Sequence, residues 1–589
     1  MKRTLPYLLV FAACAALPAL SLWPSGGYLA APMTELPVRL WIYRTFGVAH
    51  VLGGWVDAIG YPDGGMLNNP DPLGTLLYHL LLGLGSETAF NVPILLHLWG
   101  NMVAAWLLAR AVTRDDLASV TAAVSFGLAP LVLAYPVMCA VTDMAILWPY
   151  PLALRALLGV PDRPRAGLVA GLWVGVGFVT CPYHAVVFGA LVVPAGIWLG
   201  ARLILARHRR APLCPVLAPW IRAALYGIAG WVLAAGWYVV WMRGIMGHAT
   251  SQMSDDLLAF TRPIYPYLEL LPSSPRRYTA YLVDWFAVGK PALVSADFVS
   301  RFYRAFSPGI LVWALAAVGL LFARGHRRMA GGCLLAVGLL VVASTGPYLP
   351  VTRSVSLRVA ANPVWMAFHY LLPGGTLILE PLRYGFPAIL LLAVTAAIGV
   401  RALRTRQGRW VALIVPGLVV AETAILSPIP VPLPTWRPVV SPAMARLDEV
   451  LPEGPVVQLP FFDRGSQRLA RMHFLDQGVH RRPIPDEVTG LPPRYVASNQ
   501  FLAAMIQAEM VEGEMRIDMA DPKLVHEDML GLAQDGFVGL VLKRGEYRSP
   551  AHAARALHIG RQAGPATRIE DVEVFRLPSL PAPEDPATR

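Results

Sequence analysis

Apolar runs long enough to cross a hydrocarbon core recur from about residue 5 to about residue 426, since a spanning helix takes ~20 predominantly apolar residues. They predict about eleven spans, near 5–23, 90–110, 117–137, 140–158, 167–183, 184–206, 220–242, 308–324, 329–346, 385–401 and 409–426. The stretch from Ala166 to Leu205 is too long for one helix, and the polar break "TCPYH" at 180–184 divides it in two. Beyond residue 426 the pattern changes. Residues 427–445, opening "SPIPVPLPTWRPVVSP", form a Pro-rich, extended linker that cannot continue a helix. After it, "GPVVQLPF", "GFVGLVLKR" and "VEVFRLP" have the length and β-branched content of buried strands, with "SNQFLAAMIQAEMV" and "PKLVHEDMLGLAQDG" between them as helices. That alternation predicts an α/β domain over 446–580, followed by a disordered Pro-rich tail at 581–589.

Composition agrees with the spans. The chain is 56% hydrophobic and 15% charged, with a mean hydropathy of +0.52, well outside the soluble range. The fold class is therefore a multi-pass α-helical membrane protein with a C-terminal extracytoplasmic α/β domain. Orientation follows from the loops rich in Lys and Arg, which stay on the cytoplasmic side. "MKR", Arg110 with Arg114, "DRPR" at 162–165, "ARHRR" at 206–210, "ARGHRR" at 323–328 and "RALRTRQGR" at 401–409 all fall on one side. The N-terminus is then cytoplasmic, in the cytoplasmic (inner) membrane. Residues 24–89, 243–307 and 347–384 form outward loops of a 1–426 transmembrane domain. The net charge of +12 is taken up by cytoplasmic loop ends, so no nucleic-acid partner is called for. The first run also fits a signal peptide; an uncleaved helix keeps the residues after it beside the membrane. Cys14, Cys139, Cys181, Cys214 and Cys333 lie in or near spans, so neither a disulfide framework nor a cysteine metal site is encoded.

Polar groups gathered on one side of such a protein mark a site. The first outward segment carries Glu35, Arg39, Trp41 and Arg44, then Asp63 and Asp71 within "GYPDGGMLNNPDPLG". Over 35–50, Leu36, Leu40 and Tyr43 share a face, as in an interfacial amphipathic helix. Glu35 starts that piece, where the helix dipole favours a charged carboxylate. Such a group suits abstraction of a proton from an acceptor that attacks a carbon bearing a phosphate leaving group. Arg383, Arg353 and Arg358 are the cations for that phosphate, with Arg276, Arg277 and Lys290 on the second loop. Each residue has a plainer reading: Glu35 as a helix cap, Asp63 and Asp71 as turn residues, Arg383 as a headgroup anchor, Asp143 as a loop residue. His79, His97 and His184 show no metal-ligand spacing.

The order of these pieces resembles the GT-C superfamily, multi-span glycosyltransferases that use polyprenyl-phosphate-linked sugars. The matching pieces are an acidic residue and Trp after the first span in "TELPVRLW", the turn "YPDGG" beginning at Tyr61, and an Asn opening the second span in "AFNVPILLHLWGNMVAAWLLARAVT". "SDDLLAFTRP" at 254–263, "STGPYLP" at 344–350, "LEPLRYGFPAILLLAV" at 379–394 and the strands of the C-terminal domain follow in the same order. The resemblance implies an outward active site with Glu35 as base. It also implies a polyprenyl-phosphate-linked sugar as donor, membrane lipid around it, and an envelope glycan, lipid or protein as acceptor. Aspartate is commoner at the Glu35 position, and Glu380 stands where the family carries the first Arg of a pair ending at Arg383. The Trp-Trp-Asp signature of oligosaccharyltransferases is absent. A divalent metal on Glu35, Asp63 or Asp143 stays open. Two other classes compete: a non-catalytic envelope assembly or binding protein, and a lipid or polysaccharide transporter. Against the transporter, ionisable residues crowd on one face rather than at mid-span.

Overall fold

The computed structural model describes residues 4–22, 26–32, 34–46, 51–62, 64–67, 71–208, 214–249, 285, 307–346, 349–350, 356–357, 362–375, 378, 380–461, 471–486, 499–510, 522–547 and 549–578. Its helices begin with α1 (Leu5–Leu22), α2 (Leu36–Trp41), α3 (Pro72–Leu81), α4 (Ser86–Thr113), α5 (Asp116–Gly127) and α6 (Pro149–Leu157). Next come α7 (Ala166–Thr180), α8 (Pro182–Gly189), α9 (Val192–His208), α10 (Cys214–Ala249), α11 (Ile310–Phe322), α12 (Arg327–Ser344) and α13 (Pro363–Leu371). Then α14 (Gly385–Gln407) and α15 (Trp410–Leu426) close the apolar part, and α16 (Met472–His480), α17 (Gln500–Met510), α18 (Pro522–Gln534) and α19 (Pro550–Gly560) follow. Six of the described helical segments are long and apolar enough to cross a membrane, or seven if the bent pair Asp116–Gly127 and Pro130–Met138 is one span. Four further apolar helices are shorter. The chain is a multi-pass membrane protein.

The chain divides into two compact units. The first comprises Met1–Pro32, Pro70–Arg243 and Pro272–Trp436. Its centre is α14, buried along most of its length between α5, α11 and α12. The flank formed by α9 and α10 is apolar and open: Ile204, Leu233 and Val240 are 70–74% exposed, as lipid-facing residues are. Where two helices press together, glycines carry the contact. Gly167, Gly171 and Gly175 of α7 recur every fourth residue, on one face. A Cβ on Gly171 would meet the Gly227 carbonyl oxygen of α10 at 1.9 Å, and one on Gly167 the Ala223 oxygen at 2.1 Å. Small residues permit such approach between membrane helices, where dispersion and not the hydrophobic effect joins them.

Breaks in the helices are satisfied by side chains. At the second span, Asn91 accepts from Leu29 N–H (2.8 Å) and donates to the Gly27 carbonyl (2.8 Å). Nearly three turns further along the same helix, Asn101 accepts from Leu147 N–H (3.0 Å) and donates to the Ala145 carbonyl (2.8 Å). The apolar run at 140–158 consequently yields no full span: Asp143, Pro149 and Pro151 interrupt it, and only the nine-residue α6 forms. The polar stretch after residue 180 separates α7 from α8 at Cys181. Glu422 of α15 receives the orphan N–H groups of Ile310 (2.7 Å) and Leu311 (3.1 Å) at the start of α11.

The second unit comprises Met33–Asn69, Gly244–Leu271 and Arg437–Arg589. The described residues within 33–69 therefore pack with the C-terminal part. Strand β1 (Tyr28–Leu29) pairs antiparallel with β4 (Thr435–Trp436) in the first unit. Between them in sequence, β2 (Gly54–Val56) and β3 (Gly65–Leu67) make a hairpin in the second unit. The C-terminal sheet has four strands in the order β5 (Val456–Leu459), β6 (Gly539–Lys543), β8 (Val572–Arg576), β7 (Ala566–Ile569). Only β5 and β6 are parallel. One face, with Val457, Leu459, Leu540, Leu542 and Phe575, is sealed by α17, α18 and α19 through Phe501, Met505, Leu532 and Ile559.

Prediction. Gly171→Leu overpacks the α7–α10 contact at a cost on the order of 1–3 kcal/mol or more and reduces the monodisperse yield in detergent. Gly196→Leu, at a position where a Cβ meets nothing within 4 Å, leaves it unchanged in the same size-exclusion assay.

Candidate functional site

Glu35 stands at the position before α2, yet its side chain makes no capping hydrogen bond. Instead Oε1 accepts from Nη2 of Arg471 at 3.0 Å. The carboxylate is thus neither a helix cap nor a group at an interfacial helix start. The residues that follow explain why. Leu36, Val38, Leu40, Trp41, Ile42 and Tyr43 are all buried, so the helix has no lipid-facing side and packs on α16. Trp41 fixes that docking: its indole N–H donates to Gln477 Oε1 at 2.7 Å, and its ring lies 5.1 Å from Phe474 and 4.7 Å from Phe46.

Beneath α16 the second face of the sheet carries two buried polar side chains, Gln458 and Lys543, among the valines Val456, Val541, Val572 and Val574. Gln458 of β5 donates to the His473 carbonyl (3.1 Å), and His473 Nδ1 lies 3.1 Å from Asp486 Oδ1. Lys543, at the end of β6, is paired with Asp476 and lies 3.2 Å from Glu546. Gln458, His473, Asp476, Asp486 and Lys543 are all buried, where charges persist only in pairs. Burial works against the Lys543 ammonium, but Asp476 and Glu546 outweigh it and hold it above the usual lysine range. His480 closes the cluster. Burial, then Arg482 and Lys543, push its imidazole down to about 3, and the Arg482 N–H donates to its Nδ1 at 3.0 Å.

In the first unit, Arg383 precedes α14 and its Nε donates to Glu380 Oε2 at 2.8 Å. Tyr135 donates to the same oxygen at 2.6 Å, and the guanidinium sits over the rings of Tyr183 (4.6 Å) and Tyr135 (5.7 Å). Arg383 is therefore charge-paired with Glu380 and stacked on tyrosine rings. Asp143 is buried beside Cys181. Asp71 caps α3, with Oδ1 taking the Gly74 N–H at 2.8 Å and Oδ2 taking the Thr142 hydroxyl. The physical cause is the Asp-Pro-Leu-Gly sequence, a cap followed by Pro at the first helical position.

Of the sequence-predicted residues, Glu35, Trp41 and Tyr61 belong to the second unit, and Asp71, Asp143 and Arg383 to the first. Tyr61 is structural: its ring packs on Phe537 at 5.1 Å and its hydroxyl donates to the Asp535 carbonyl at 2.8 Å. Asp63, Arg353 and Arg358 lie outside the described residues. Among the described residues no three His, Cys, Asp or Glu side chains gather as a metal site. Arg471, Gln477, Tyr135 and Tyr183 were not singled out in the sequence. The one signal for Arg471, Phe474 and Gln477 is their spacing of three on an amphipathic stretch.

No family model and no curated protein matches the chain. Among solved structures, it is similar to the arabinofuranosyltransferase AftD from Mycobacteria, with a TM-score of 0.49 and 16% identity over 97% of this chain. The match covers 41% of AftD, so the chain spans about two fifths of that protein's length. It is also similar to the Archaeoglobus fulgidus oligosaccharyltransferase in its apo form, with a TM-score of 0.46, 12% identity and coverage of 91% and 69% of the two chains. ArnT from Cupriavidus metallidurans, bound to undecaprenyl phosphate, gives a TM-score of 0.35 at 15% identity, covering 97% and 98%.

Prediction. A histidine depressed on folding contributes stability above its unfolded value of 6.5, and that contribution is lost as pH falls towards the folded value of about 3. Thermal unfolding of the purified chain in detergent therefore loses midpoint between pH 7 and pH 4. His480→Asn, which keeps an acceptor in place of Nδ1 and does not titrate, shows a shallower slope.

Proposed function

We propose that this protein is a membrane glycosyltransferase of the GT-C kind, moving a sugar from a polyprenyl-phosphate donor to an envelope acceptor on the outer face of the cytoplasmic membrane. The observation that carries the reading is Glu35: a carboxylate 23% exposed, held by an arginine and not consumed as a helix cap. In the reaction, Glu35 takes the proton of the acceptor hydroxyl or amine. The acceptor atom forms its bond to the anomeric carbon as the bond from that carbon to the phosphate oxygen breaks. The electron pair leaves on the polyprenyl phosphate, and a single displacement inverts the configuration. Positioned proton transfer of this type contributes roughly 10²–10⁴-fold.

Arg383, with Arg353 or Arg358, steadies the phosphate. Its pairing with Glu380 leaves less net charge for that task than a bare guanidinium offers, while stacking on Tyr183 and Tyr135 fixes the plane of its remaining donors. One observation favours a second reading, a non-catalytic binding or assembly protein: Glu35 and Arg383 are each already in an ion pair.

Prediction. Purified protein in lipid, given radiolabelled undecaprenyl-phosphate sugars and an envelope fraction as acceptor source, transfers label. Glu35→Gln lowers the rate by roughly 10²–10⁴-fold, and Arg383→Leu raises KM for the donor. Transfer that is unchanged in Glu35→Gln, or absent from the wild type, refutes the catalytic reading.

A further inference from the structure

Two arginines of the second unit are buried to a similar degree and used differently. Arg482 reaches the Asp448 carboxylate at 2.5 Å and the carbonyls of Leu451 (3.0 Å), Gly454 (3.2 Å) and Pro452. Only its Nε is left unmatched. That is an arginine holding a fold together. Among the described residues, Arg471, 11% exposed, has a single side-chain acceptor, Glu35, and both its Nε and Nη1 are buried without a hydrogen-bond partner there. Unmatched buried donors weaken a fold. Among the described residues, the Glu35 carboxylate is the side-chain partner that accounts for this guanidinium.

The remainder of the docking is organised in the same way. Arg471, Phe474 and Gln477 are spaced by three residues across the start of α16 and through it, which places them on one helical face. All three touch the segment that carries Glu35: Arg471 holds the carboxylate, and Phe474 and Gln477 hold Trp41. One face of one helix thus fixes both the carboxylate and the backbone that bears it.

We propose that Arg471 is a positioning residue for Glu35, supplied by the C-terminal domain, which sets the direction of the carboxylate towards the acceptor. The inference rests on the catalytic reading of Glu35 given above. A base misaligned by about 1 Å loses about 10²-fold in rate, so the chemistry of the first outward segment depends on a domain far along the chain.

The test uses the full chain in lipid with the panel of radiolabelled undecaprenyl-phosphate sugars. Arg471→Met lowers kcat by about 10²-fold with KM for the donor unchanged, and does not lower the thermal unfolding midpoint, because the pair satisfies so little of the guanidinium. Arg471→Lys recovers part of the rate, and Glu35→Gln with Arg471→Met is no slower than Glu35→Gln alone. If Arg471→Met turns over like the wild type while Glu35→Gln is inactive, the positioning role is wrong and the catalytic reading stands. If activity falls together with the unfolding midpoint and lysine restores neither, Arg471 is structural and the proposal is overturned. Full activity in Glu35→Gln, or none in the wild type, removes the catalytic reading and this inference with it.

Discussion

A backbone that breaks inside an apolar surrounding must find its hydrogen bonds within the protein, and the first unit is built around that requirement. Asn91, Asn101 and Asn362 each present a donor and an acceptor to a broken stretch of chain, acting as a peptide group on a side chain. Asp71, Asp115 and Glu422 do the same for helix N-termini with oxygens alone. Each unmade bond of this kind would cost roughly 1–3 kcal/mol. These few polar residues allow bends, short helices and loops to lie among the spans, and every group offered for chemistry in this unit is mounted on one of those irregular stretches.

The second unit solves a different problem. One face of its sheet is packed by three helices, and the other sets Gln458 and Lys543 among the buried valines Val456, Val541, Val572 and Val574. The buried ion pairs on that second face carry a penalty for desolvation that is offset only if their geometry holds. A helix laid on such a face has few alternative registers, because sliding it would separate Asp476 from Lys543 and His473 from Asp486. Specificity of docking is what this face provides, and α16 passes it on to α2.

Much of the fold was legible in the sequence because it depends on local signals. Ten of the eleven apolar runs contain an apolar helical segment of about the expected extent, and the three apolar strands lie within the stretches read as such. The run at 140–158 misled because composition alone does not register that Pro149, Pro151 and Asp143 interrupt it. Strand β7, with its exposed Arg568, carried too weak an apolar period to be read, and helices α16 and α19, though amphipathic, are only 9 and 11 residues long. The site was legible only in part. Glu35 was singled out from its place after a span, but its environment was not legible, because the segment that holds it is specified by packing between residues that no local pattern connects. Asp71 shows the converse: its Asp-Pro-x-Gly context is by itself sufficient to specify a cap.

Trp41 and Glu35 are separated from Gln477 and Arg471 by 436 residues. At ribosomal rates of about 5–20 residues per second, α2 leaves the exit tunnel roughly 20–90 s before α16 exists. During synthesis, therefore, a short helix whose every apolar side chain is destined for burial must wait at the membrane without its mate. A segment far along the chain thus locks an early one in place, so the group proposed to do the chemistry of this protein is assembled late in its synthesis.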